Sequence, residues 1–168
     1  MSRQITVIDR SGPMDTDAVR TVLRDLVETS RDGVGRRCWA VLGELAGPGG
    51  EPDDGDAVRA AENARAVEHD RVGRFLVRLA VDYVVSVGTT RVVRALHQGA
   101  VMEGSWGDEA RLVDDPAAAV QMLLEDLADG DVVLLAGGGG TGRDDLSLVA
   151  QSLLDSDRYT VTFGATSG

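Results

Sequence analysis

The sequence predicts a single α/β domain built on a mainly parallel sheet with helices on both faces, and three observations predict it. Four short apolar runs, Ile5–Ile8, Cys38–Leu42, Tyr83–Val87 and Val132–Leu135, do not alternate with polar residues. Uninterrupted Val/Ile/Leu runs of this length fit strands covered on both faces, as in parallel sheets. Stripes at helical spacing lie between them, so strands alternate with helices along a chain of 168 residues, a one-domain length.

Val19, Val22, Leu23, Leu26 and Val27 form the first helical stripe, behind an N-cap at Asp15 or Thr16. Val72, Phe75, Leu76 and Leu79 form the second, and Val92, Val93 and Leu96 a short third. Val120, Leu123, Leu124 and Leu127 form the fourth, with Pro116 near its first turn and Gly130 beyond its end. Leu146, Val149, Leu153 and Leu154 form the fifth. Arg111–Val113 is a shorter strand candidate. Tyr159–Phe163 alternates and follows a helix, so residues 155–168 read as an added edge strand, antiparallel in one alternative, or as a tail. Gly47–Asp56, rich in Gly, Pro and Asp, reads as a surface loop.

Composition narrows the partners. A net charge of -11 argues against nucleic acid and anionic membrane, which bind through an excess of Lys and Arg. The N-terminal stretch has no apolar core of a signal peptide, and no run approaches a membrane span. The lone Cys38 has no partner for an intrachain disulfide and reads as a small hydrophobe. The expectation is a cytoplasmic, soluble protein.

The segment from Asp131 to Asp144 is the most suggestive chemically, because a strand there enters a glycine-rich turn before a helix. Gly137, Gly139 and Gly142 match a G-x-G-x-x-G pattern, and Gly137 with Gly142 has P-loop glycine spacing. Bare backbone N–H groups at a helix N-terminus bind phosphate oxygens. Arg143 and Asp144 stand where a P-loop needs Lys and Ser/Thr, however, and a dinucleotide fingerprint needs a full βαβ unit that the remaining chain is too short to supply. The plain alternative is a strand-to-helix turn.

Glu51, Asp53, Asp54 and Asp56 miss the spacing of a calcium loop and read as solvated, so no metal site is expected. His69 and His97 are the only imidazoles, and no Gly-x-Ser-x-Gly nucleophile accompanies them. Trp39 sits in a strand and reads as core; Trp106 sits in a loop and is a candidate contact residue.

Four segments, in order, carry a family resemblance. They are Arg37-Cys-Trp-Ala-Val-Leu-Gly43-Glu44, His69-Asp-Arg-Val-Gly73, Val84-Val-Ser-Val-Gly88 and Gly130-Asp-Val-Val-Leu-Leu135. Together they resemble the C-terminal domain of Mur ligases, nearest the branch that adds a D-alanyl-D-alanine dipeptide to the cell-wall precursor, over about residues 5–154. The resemblance implies a Rossmann-like fold that closes over a central ATPase domain and helps to hold the incoming amino acid or dipeptide. It also makes the family's nucleotide-contacting Asp-x-Tyr-Asn-x-Asn-Pro motif fall on Arg10-Ser-Gly12-Pro13-Met14-Asp15-Thr16, after Asp9, and its Lys-Gly-Ser-Arg on Ala136–Gly139. The polar groups of both motifs are lost, and Glu44 and His69 are the retained site residues.

The expectation is therefore a noncatalytic relative, binding a protein partner, a second copy of itself or a small ligand. The alternative is a subunit completing a split ATP-dependent amide ligase. No cofactor is expected on the chain itself, with ATP and magnesium entering only through a partner ATPase domain. The candidate ligand-binding residues are Asp9, Arg10, Asp15, Glu44, His69, Gly137, Gly139, Gly142 and Arg143.

Overall fold

The structure, a computed structural model, describes residues 2–47, 54–104, 107–139 and 144–165. Its strands are β1 (Arg3–Ser11), β2 (Cys38–Leu42), β3 (Tyr83–Val87), β4 (Ala110–Val113), β5 (Val132–Gly137) and β6 (Tyr159–Phe163). Its α-helices are α1 (Thr16–Arg31), α2 (Gly55–Arg78), α3 (Arg91–Glu103), α4 (Pro116–Asp126) and α5 (Ser147–Asp155). All strands run parallel in one sheet of order β4-β3-β2-β5-β1-β6.

The apolar runs become strands because both of their faces are covered. Ile8, Ala40, Leu42, Val84 and Leu134 pack on one face with Leu23 and Leu26 of α1, Leu76 of α2 and Leu96 of α3. The intervening residues Val7, Trp39, Val41, Val85 and Val133 pack on the other with Leu123 of α4 and Leu153 of α5. Asp15, Asp54, Thr90 and Asp115 cap α1 to α4, each side chain accepting a backbone N–H of its own first turn.

Two expectations need correction. β6 is neither antiparallel nor a tail: it lies parallel to β1, with Arg3 opposite Tyr159 and Val7 opposite Phe163. The crossover through α5 delivers it in the same direction as its neighbour, as βαβ connections do. The loop read as Gly47–Asp56 ends at Asp54, whose Oδ1 accepts the Ala57 N–H at 2.7 Å and starts α2. Of the acids there, Asp54 is a cap and Asp56 lies in the first helical turn, while Glu51 and Asp53 lie outside the described residues.

Two glycines set how closely α2 lies on α3. A Cβ on Gly73 would collide with the Leu96 carbonyl, and one on Gly99 with the Asp70 carbonyl. This contact fixes the helix that carries Arg65 and His69.

Candidate functional site

β2 and β5 are neighbours in the sheet, yet the chain leaves β2 for α2 on one face and β5 for α5 on the other. That divergence opens a crevice at the C-terminal end of the strands, the place where open α/β sheets take ligands. A cleft of about 330 Å³ lies there, lined by Pro13, Glu44, Arg65, Thr90, Gly138 and Asp144 among others.

Its polar centre is an ion pair. Arg65 Nη2 donates to Glu44 Oε1 at 2.6 Å and to the Leu45 carbonyl at 3.1 Å. Thr90 Oγ1 donates to the other carboxylate oxygen, Oε2, at 3.2 Å. Glu44 is thus held from both sides, while roughly a third of the Glu44 and Arg65 side chains stays open to solvent at 35% and 31%. The Arg65 Nε is buried and unpartnered among the described residues, so the guanidinium is not saturated.

His69 lies beneath this floor, 1% exposed. Its Nε2 accepts the Leu45 N–H at 3.0 Å and its Nδ1 donates to the Arg65 carbonyl at 2.7 Å. Those two partners select the neutral tautomer protonated at Nδ1. Burial pushes its pKa below the usual histidine value, against the pull of the Arg65 carbonyl and the nearby carboxylates. His69 fixes the loop after β2; it does not line the cleft.

The glycine turn is built by packing. Gly137 and Gly138 have φ of 75° and 81°, left-handed values that favour glycine. The Gly138 N–H donates to the Glu44 carbonyl at 3.0 Å, and the Gly12 N–H to the Gly137 carbonyl at 2.9 Å. The N–H of Gly138 is therefore already engaged within the protein. Gly139 lines the cleft, and Gly142 and Arg143 lie outside the described residues, as does Trp106.

Asp9, Arg10 and Asp15 are not brought into the cleft. Asp9 is exposed and accepts from the Ser11 N–H and Oγ at 3.0 and 2.6 Å. Arg10 lies opposite Ala136 in the sheet. Asp15 Oδ1 caps α1 through the Ala18 N–H at 2.7 Å. His97 is half-buried on α3, and desolvation lowers its pKa as well.

Arg65 and Thr90 line the cleft but are not among the candidate ligand-binding residues read from the sequence. Each had a signal: Arg65 lies one helical turn before His69, and Thr90 is a capping residue type ahead of the Val92 stripe. A third signal lay in composition, because all 17 basic residues are Arg and the chain contains no lysine. A P-loop lysine is therefore unavailable anywhere in this chain. Among the described residues no cluster of His, Cys, Asp or Glu could hold a metal ion, and no helix is long and apolar enough to cross a membrane.

Comparison with known proteins bears on the same region. Residues 2–139 match the model of the family described as Mur ligase, glutamate ligase domain. The chain is 40% identical over 147 residues to a UDP-N-acetylmuramoyl-tripeptide--D-alanyl-D-alanine ligase of Mycobacterium leprae, covering 82% of this chain and 26% of that protein. It is 38% identical over 165 residues to the ligases of the same name in Mycobacterium bovis and Mycobacterium tuberculosis, covering 91% of this chain and 29% of each. The chain thus spans between a quarter and a third of the length of these relatives.

Proposed function

The chain belongs to the Mur ligase family, as a glutamate ligase domain, and from that membership we propose that it is a noncatalytic binding domain of an amide-forming ligase system. In this reading the C-terminal edge of the sheet docks on a partner protein or domain in the cytoplasm, and the cleft there takes a small polar ligand. The observation that carries it is the Glu44 carboxylate held between Arg65 and Thr90 at the switch point of the sheet. This pair presents one cation and one anion to a ligand without offering a nucleophile or a phosphate cradle. The ligand class is a small zwitterion such as an amino acid or dipeptide, whose carboxylate would meet Arg65 and whose ammonium would meet Glu44 or Asp144.

A second reading makes the partner an ATPase, so that the chain completes a split ligase and ATP and magnesium are bound only by that partner. What favours it is the identity of 38–40% with ligases across most of this chain.

Calorimetry separates these readings. We expect no heat with ATP and magnesium, no ADP release by the chain alone, and weak binding of D-alanyl-D-alanine that Arg65→Ala abolishes. ATP turnover by the isolated chain would overturn the noncatalytic reading. Restored ADP release on adding the chain to a D-alanyl-D-alanine ligase truncated of the matching domain would establish the second reading.

A further inference from the structure

The two edges of the sheet differ in a way that points to self-association through one of them. β4 is short, and its Arg111 is paired with Asp126. A short strand carrying a charge is a guarded edge. β6, Tyr159-Thr-Val-Thr-Phe163, has no charge, no proline and no glycine in a chain of net charge -11. Among the described residues it pairs only with β1.

The direction of its free groups follows from the ladder. The Arg3 N–H donates to the Arg158 carbonyl at 2.9 Å, and the Gly164 N–H donates to the Val7 carbonyl at 2.9 Å. The backbone groups of even-numbered residues therefore face β1. Those of Tyr159, Val161 and Phe163 face outward, and among the described residues only the Tyr159 N–H of these has another acceptor, the Ser156 carbonyl at a long 3.4 Å.

The strand is also self-complementary about its centre. A two-fold axis at Val161 sets Val161 against its own copy, Thr160 against Thr162, and Tyr159 against Phe163. In an antiparallel pair this register places the outward-facing residues in the hydrogen-bonded positions. It gives Thr–Thr cross-strand pairs, a favourable combination, and sets Phe163 beside Tyr159, whose own ring is buried against α4. It also covers Phe163, which is 50% exposed. The adjacent helix α5 exposes Leu148 and Leu154 as well, at 52% and 43%.

We propose that β6 is a homodimerisation edge, joining two copies antiparallel about Val161 into one continuous sheet. The occupant is a second copy of this chain, because the match of residue types holds when the strand meets itself in this register. The contact is separate from the cleft at the C-terminal edge and leaves it open in both copies. A five-residue edge is small beside the roughly 800 Å² per partner of a stable interface, so the dimer forms at high protein concentration.

Sedimentation equilibrium of the full 168-residue chain, from about 10 μM to about 1 mM, tests this. We expect reversible dimerisation. Val161→Lys and Val161→Glu each place like charges directly opposite one another, and each should weaken it at least about tenfold. An equimolar mixture of the two should restore the dimer, since a lysine of one copy then faces a glutamate of the other across the axis. That rescue also distinguishes lost contact from lost fold, which circular dichroism monitors in each variant. A strict monomer up to the highest concentration, a dimer indifferent to Val161→Lys, or a mixture that stays monomeric would overturn the proposal.

Discussion

Gly43 and Gly138 meet backbone to backbone: a Cβ on Gly43 would lie 2.6 Å from the Gly138 Cα and 2.7 Å from its nitrogen. The strand ends of β2 and β5 approach this closely because neither loop carries a side chain there. Gly43→Ala must therefore push the two loops apart, disturbing the Gly138 N–H bond to the Glu44 carbonyl. We expect a loss of about 2–4 kcal/mol of unfolding free energy. Gly55→Ala is the control, since nothing lies within 4 Å of a Cβ at that first residue of α2. It should be neutral or stabilise by about 0.5 kcal/mol. Urea unfolding of both variants checks the pair, and equal effects would contradict the close packing.

Four of the strands were legible because burial on both faces leaves an unbroken apolar run, and Cys38–Leu42 and Tyr83–Val87 match the structure residue for residue. The first half of α2 was not, because residues such as Arg59, Ala61 and Glu62 carry no apolar stripe; that half stands mostly in solvent. β6 showed its half-exposed alternation but not its direction, which the crossover decides. Glu44 and His69 were reached by family resemblance alone. The Glu44–Arg65 pair was hidden because it joins residues 21 apart that only the turn from β2 into α2 brings together. The glycine turn was legible as a turn, but its spacing alone does not distinguish a phosphate cradle from close packing of two loops.

Asp131 anchors the opposite end of the sheet. It is 1% exposed and accepts from Arg37 Nε and Nη2 at 3.0 and 2.7 Å, from Trp39 Nε1 at 2.9 Å and from the Ala128 N–H at 2.9 Å. Arg37 also lies over the stacked rings of Trp39 and Tyr83. Asp131→Asn turns an NH₂ group toward these donors and leaves Arg37 without its anion. We expect a loss of about 3 kcal/mol, with ligand binding at the far end of the sheet unchanged. Chemical unfolding alongside calorimetry of the cleft tests both halves of that statement.

Cys38 should be inert. Its thiol is buried in β2, and burial raises its pKa to about 11. The thiolate is the reactive form, so at pH 8 almost none is present. Alkylation by iodoacetamide, followed by mass spectrometry, should be negligible in the folded protein and complete in urea. Rapid labelling without denaturant would show that the β2 end of the core opens.

His69 is buried and neutral, and burial lowers its pKa below the value it takes in the unfolded chain, near 6.5. Below that pH the unfolded state binds a proton that the folded state does not, so the unfolded state is favoured as pH falls. Stability is therefore full above about pH 7 and declines through and below about pH 6.5. His97, whose pKa desolvation also lowers, acts in the same direction. His69→Gln keeps a polar side chain beside the Leu45 N–H but cannot titrate. It should lower stability at pH 8 by about 1–3 kcal/mol, through imperfect bonding to Leu45 and Arg65, and flatten the decline between pH 7 and pH 5. His97→Gln should flatten it less, because His97 is less deeply buried. Urea unfolding at pH 5, 6, 7 and 8 for the three proteins measures these slopes. A His69→Gln profile parallel to that of the parent would mean that His69 carries its proton in the folded state. The Leu45 N–H would then have lost its acceptor, and the floor of the cleft would be held in another way.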